Sequence, residues 1–323
     1  MTIYFATNRN PNDSTKPTDF ENYFSKNSLG DLRFGQVNVD VEGNLDFENL
    51  VMLPNNESEG SKQLFAQLQK SMKENQGDSL VFIHGFNTSF KEAMKSALKM
   101  KNQYRRLSNG SYNPNVFVFS WVSYGQLSMY DEDRVNAKVS ANAVARALLK
   151  LANFLKNTSP DNACEQRIDL IAHSMGCYVL RHALQELRKQ SVVQRMFHDV
   201  VLVAADEDSD TFEFDYKLGL LSSVAKRITV YFNSGDSALK VSDIFQGNPD
   251  RLGRDGANKP HQLPSKVVLV EVSDVVSGVV EHSYFNDNDC VSKDIVKVLK
   301  GQSSESIKER DYLPHKNKFK LLA

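Results

Sequence analysis

The sequence predicts an α/β fold with a mostly parallel sheet of about eight strands and helices on both faces. Three observations carry that expectation. Apolar, β-branched runs recur along the chain. Most of these runs are continuously apolar rather than alternating, as strands covered on both faces are. Segments with apolar residues at helical spacing lie between them, and strand alternating with helix means βαβ units.

The strand runs are, in order, "TIYFAT" near the start, "GQVNVDV" from Gly35, "SLVFIHG" from Ser79, "NVFVFSW" from Asn115, "RIDLIAH" from Arg167, "DVVLVAA" from Asp199, "RITVYFN" from Arg227 and "KVVLVEV" from Lys266. Helical spacing marks "FKEAMKSALKMKNQYRR" from Phe90, the segment from Asp133 to Asn157, and "MGCYVLRHALQELRKQ" from Met175. Residues 8 to 60 are more polar and read as strands with irregular connections. The stretch Gly247 to Pro264, rich in Gly, Pro, Asp and Asn, reads as a long loop.

At 323 residues and 41% hydrophobic content, the chain can bury one large core. A single domain over 1–323 is expected, with N-terminal strands and loops at 1–60, the catalytic core at 61–300 and a C-terminal tail at 301–323. A net charge of −1 gives no global field for nucleic acid or an anionic membrane, so no nucleic-acid partner is expected and a small-molecule substrate is favoured. Cys164, Cys177 and Cys290 fit neither a disulfide framework nor a zinc pattern; no metal and no cofactor are expected. The opening "MTIYFATNRN" lacks the apolar core of a signal peptide, and no run reaches the length of a transmembrane segment, so a cytoplasmic protein is expected.

In a parallel α/β sheet, ligand groups gather beyond the carboxyl ends of the strands. Those positions hold His84, Gly85 and Phe86; Trp121; His173, Ser174, Met175 and Gly176; Asp206; Asp236; and, after the last run, His282. A serine hydroxyl becomes a nucleophile when an imidazole takes its proton, and the imidazole needs a carboxylate to hold its tautomer. Ser174, Asp236 and His282 come in the order of the α/β-hydrolase layout, with "AHSMG" as the strand-to-helix elbow. The backbone N–H groups of Phe86 and Met175 are the expected oxyanion donors.

Each element has a plainer reading. Roughly 0.2 pentapeptides of the "AHSMG" type arise by chance in a chain this long, so the serine gains weight only from its partners. His84 reads as structural, His173 as packed beneath the elbow, and Trp121 as core or pocket. Asp206 follows the preceding strand and is the alternative acid. Asp236 is preferred because it lies on a "NSGDSA" turn that can aim a side chain inward. The segment Trp121 to Asp133, with Tyr124, is the expected lid or rim of the pocket.

Taken together, "VFIHGFNTSFKEA", "VFVFSWVSYG", "LIAHSMGCYVLRHAL", "VVLVAADEDSDTF", "VYFNSGDSAL" and "VEVSDVVSGVVEHSYF", with the opening "FATNR", resemble a bacterial α/β-hydrolase family of esterase/lipase-like proteins of largely unknown function. The resemblance runs to about Lys300 and implies the same triad and oxyanion donors. The triad points to a serine hydrolase acting on an acyl ester or thioester through an acyl-enzyme, and the resemblance itself supplies no substrate. A lipase or amidase on the same triad, and a catalytically silent binding protein, are the alternatives. Val122 and Ala205 stand where the family usually has proline, which alters the pocket rim.

Overall fold

The structure is a computed structural model that describes residues 1–24, 31–54, 56–157, 166–190, 193–239, 250–276 and 282–323. Among these, the first strands are β1 (Thr2–Thr7), β2 (Arg33–Asn38), β3 (Val51–Met52), β4 (Ser79–Ile83), β5 (Asn115–Ser120) and β6 (Ile168–His173). The others are β7 (Phe197–Val203), β8 (Ala225–Phe232), β9 (Val267–Glu271), β10 (Arg310–Leu313) and β11 (Lys318–Leu321). They form one sheet of eleven strands in the order β10-β11-β9-β8-β7-β6-β4-β5-β1-β2-β3. From β1 through β5, β4, β6, β7, β8 and β9 to β11, neighbours run parallel. The two ends are antiparallel, with β2 and β3 beyond β1, and β10 beyond β11.

The expected count of about eight strands is therefore too low. Each of the eight apolar runs is a strand, and β3, β10 and β11 add to them. Those three are only two to four residues long and partly exposed, so they lack the apolar run that marks a covered strand.

The continuous apolar runs have a direct cause. Leu80 and Phe82 of β4 enter one core, while Val81 and Ile83 enter the other. Strand residues alternate between faces, so a strand covered on both sides must be apolar at every position. The helices α1 (Glu57–Asn75), α3 (Tyr130–Asn157) and α4 (Met175–Lys189) cover one face. The helices α2 (Phe90–Leu107) and α5 (Asp289–Leu299) cover the other. The start of α2 is fixed by a capping box, in which Ser89 and Glu92 satisfy each other's backbone N–H groups.

The described part of the expected loop, residues 250–264, is docked rather than open. Arg251, Leu252 and Gly253 are buried. Gly253 N–H donates to Ala205 O at 3.0 Å, and Gly253 O accepts from Asn233 N–H at 3.0 Å. Residues 247–249, Cys164, and the 277–281 part of the block before His282 lie outside the described residues. Cys177 and Cys290 are free thiols.

Strand β5 lies on one side of β4 and β6 on the other, so the direction of chain growth reverses between β4 and β6. A crevice opens beyond the carboxyl ends of strands at such a switch point. Gly85 and Phe86 follow β4 there, and Ser174 follows β6.

Candidate active site

Ser174 occupies the single residue between β6 and α4 with φ 52° and ψ −125°. A non-glycine residue in that conformation costs on the order of 1–3 kcal/mol and persists only where its surroundings hold it. Here Ser174 N–H donates to Val203 O at 3.0 Å, while its carbonyl accepts from Cys177 N–H at 3.0 Å and Asp206 N–H at 3.2 Å. Gly176 lets the helix close onto the strand. A Cβ at that position would lie 2.5 Å from Ile83 O and 2.6 Å from His84 O. Gly85 faces the serine equally closely, since a Cβ there would lie 2.9 Å from Ser174 Cβ.

His282 Nδ1 lies 2.7 Å from Asp236 Oδ2. The carboxylate side chain is 1% exposed and the imidazole 20%, so the acid is enclosed and the histidine still reaches the crevice. The second oxygen of Asp236 accepts from Leu239 N–H at 3.1 Å, and its own N–H donates to Asn233 O at 3.0 Å. The turn thus fixes the carboxylate in one orientation. His173, next to Ser174, meets His282 from below: its Nε2 lies 3.1 Å from His282 O, and the ring centroids are 4.9 Å apart. Burial drives His173 well below the usual histidine pKa, so the ring is neutral and donates Nε2–H to that carbonyl.

The turn after β4 is held as firmly. His84 is buried and stacked on the fully buried Trp121, with 5.2 Å between centroids and planes 8° apart. Trp121 Nε1–H donates to His84 O at 2.8 Å. His84 Nδ1 lies 2.8 Å from Gly85 O, which requires the proton on Nδ1. That bond fixes the plane of the Gly85–Phe86 peptide. Among the described residues, no acceptor takes a hydrogen bond from the N–H of Phe86 or of Met175. Met175 is buried and Phe86 half-buried, and both N–H groups beside the strained serine are open to an acceptor oxygen.

Asp206 is also buried here, but it is engaged elsewhere. Its Oδ2 accepts from Tyr130 OH at 2.6 Å and lies 3.5 Å from Arg134 Nη1. The Arg134 guanidinium stacks on Tyr178 at 3.8 Å from the ring centroid. Tyr130 in turn meets Phe86 edge to face at 5.3 Å. Tyr124 is half-buried, and its N–H donates to Asp133 Oδ1 at 2.8 Å. The structure therefore gathers Ser174, Asp236, His282, Phe86, Met175, Gly85, Gly176 and His173 at one end of the sheet. It places His84 and Trp121 beneath them and Asp206 in a network of its own. Tyr130 lies in the segment expected as lid or rim, but its bond to Asp206 was not foreseen, and Arg134 was not among the sequence-predicted residues. Their only signal is a spacing of four on a helix that begins earlier than its apolar pattern.

One group of metal-ligand type occurs among the described residues: Asp169, His198 and Asp199, whose ligand atoms lie within 4.8 Å of one another near the opposite ends of the strands. Arg227 donates to both oxygens of Asp199, at 2.6 and 2.8 Å. A cation is thus already in place, and these residues do not fit a metal ion.

Over residues 58–300, well over half of the chain, the sequence matches the family described as alpha/beta hydrolase of unknown function (DUF900). The chain belongs to this family. A relative of this DUF900 chain, the uncharacterized protein alr1448 of Nostoc sp. (strain PCC 7120), is 34% identical over 120 residues, which cover 33% of this chain and 29% of that protein. The aligned part is thus less than a third of that relative's length. A crystal structure of ESTFA in an Fe-lacking apo form has a TM-score of 0.40 at 10% identity, covering 87% of this chain and 81% of that one. Phospholipase PlaB from Legionella pneumophila has a TM-score of 0.30 at 13% identity, covering 65% and 42%. Among the described residues, no helix of the DUF900 chain is long and apolar enough to cross a membrane.

Proposed function

We propose that the protein is a serine hydrolase that cleaves an acyl ester or thioester through an acyl-enzyme, with Ser174 as nucleophile, His282 as base and Asp236 as acid. The observation that carries this reading is the 2.7 Å contact of His282 Nδ1 with a buried carboxylate, on a loop pinned to the residue beside a strained serine. Asp236 holds the imidazole with its proton on Nδ1, which leaves Nε2 to take the Ser174 proton. The serine oxygen then bonds to the acyl carbon, and the carbonyl oxygen becomes an anion facing the N–H groups of Phe86 and Met175. The imidazolium returns its proton to the leaving alcohol or thiol as the carbon–leaving-group bond breaks. Water repeats the sequence on the acyl-enzyme and releases the acid. Asp206 is a poor rival for the acid, since its Oδ2 already serves Tyr130 and Arg134 and its Oδ1 lies 3.7 Å from Arg251 Nε.

The test is hydrolysis of p-nitrophenyl esters of increasing acyl length by wild type and by Ser174→Ala. Wild type turns over part of the series and the variant none of it. Equal rates in the two proteins would remove the serine from the mechanism, and no turnover of any ester or thioester would favour a silent binding protein.

A further inference from the structure

The motif "FATNR" at the end of β1 has no part in the triad, yet Arg9 is fully buried. Among the described residues its guanidinium donates to neutral acceptors: Ser120 Oγ at 3.1 Å, Glu21 O at 3.2 Å, Asn22 Oδ1 at 2.7 Å, Ser123 O at 3.2 Å and Thr88 O at 2.7 Å. The nearby acid Asp133 is also 0% exposed. It accepts from Ser123 Oγ at 2.5 Å, Tyr124 N–H at 2.8 Å and, at the long limit, Asn87 N–H at 3.4 Å. Burial lowers Arg9 to about 9, so it is still a cation at neutral pH, and the Asp133 charge opposes that lowering.

Between the two charges runs the turn Phe86–Thr88. Arg9 holds Thr88 O, Ser123 Oγ accepts from Thr88 N–H at 3.1 Å, and Thr88 Oγ1 donates to Phe86 O at 3.0 Å. Asn87, in the middle, sits at φ 55°, a conformation that asparagine adopts more readily than most residues but that still needs support. Buried ions cut off from water make short, strong hydrogen bonds to whatever polar groups face them. Here those groups are the backbone of the turn and the hydroxyl that backs it.

We propose that Arg9 and Asp133 act as a divided charge pair that grips the Phe86–Thr88 turn from two sides and fixes the direction of the Phe86 N–H. This rests on the serine-hydrolase reading above, in which that N–H receives the oxyanion. Both are positioning residues, since neither touches the reacting atoms. Asp133→Asn is the selective perturbation. The amide nearly matches the carboxylate in shape and still accepts from Tyr124 N–H. It presents an NH2 group where Ser123 Oγ–H and Asn87 N–H now donate.

The experiment measures kcat, KM and inhibition by an alkylboronic acid for wild type, Asp133→Asn and Ser123→Ala, on a short p-nitrophenyl ester, with Tm recorded for each. The boronate forms a tetrahedral anion on the serine and reports on the oxyanion donors. For Asp133→Asn, kcat falls about 10- to 100-fold. KM stays within about twofold, and boronate affinity falls by the same factor as kcat/KM. Ser123→Ala moves the same quantities in the same direction by less. A merely structural role would lower Tm and leave kcat per active site and boronate affinity unchanged, which would overturn the proposal. Should Asp133→Asn fail to fold, unchanged kcat and boronate affinity in Ser123→Ala overturn it instead. A wild type that neither hydrolyses esters nor binds the boronate removes the underlying hydrolase reading, and this proposal with it.

Discussion

Replacing His84 with asparagine should flatten the acid side of the protein's stability profile. Burial, aided by the Arg9 charge, depresses His84 from 6.5 to about 3. Its Nδ1–H is used by Gly85 O, and its Nε2 is buried without a partner, so a second proton would have no acceptor. The folded state therefore resists protonation, while the unfolded chain takes a proton below pH 6.5. The stability His84 confers is complete above pH 6.5 and is lost as the pH falls toward 3. At about 1.36 kcal/mol per pH unit, the loss from this residue is about 2 kcal/mol by pH 5. Asparagine keeps an N–H near the Nδ1 position and does not titrate. Urea unfolding at pH 7.5 and pH 5.0 measures the difference. Wild type should lose about 2 kcal/mol more than the variant between those pH values, although the variant is less stable at both because the stack on Trp121 is gone. His173 and His182, both also held low by burial, are present in both proteins, so most of their contribution drops out of the difference. Equal losses in wild type and variant would refute the reasoning.

Other outcomes follow from the same geometry. Asp236→Asn should lower kcat by about 10⁴-fold, because the amide favours the wrong imidazole tautomer; a Tm within a few degrees of wild type would separate this from unfolding. Gly176→Ala places a methyl 2.5 Å from the Ile83 carbonyl, and fixed backbone cannot yield cheaply. Denaturant titration should show a loss of about 1–3 kcal/mol, and a neutral substitution would mean that α4 is packed more loosely than described.

Much of the fold can be read from the sequence because sheet burial writes itself as unbroken apolar runs. Leu80 to Ile83 face alternate cores, so every position is apolar and the strand stands out. The meeting of Asp236 with His282 is readable for a related reason, since chemistry-bearing residues in this topology follow strands. What could not be read was polar and buried at once. Arg9 and Asp133 look like surface charges in polar stretches, and only the loops folding over them remove them from water. Arg251 likewise lies in a segment composed like a loop, yet it is 1% exposed. Short edge strands such as Lys318–Leu321 mix lysine with apolar residues and carry no run long enough to register. Arg134, and the pairing of the rim residue Tyr130 with Asp206, were missed because both depend on a carboxylate that follows β7, and local spacing cannot reveal such a pairing.

The central claim is that Ser174 is the nucleophile. Treating the protein with a fluorophosphonate, digesting it and locating the adduct by mass spectrometry tests this directly. One adduct is expected, on Ser174 in the "IDLIAHSMGCYVL" segment. Labelling should slow by orders of magnitude in His282→Ala and vanish in Ser174→Ala. An adduct on another residue, or labelling of Ser174 at the same rate without His282, would contradict it.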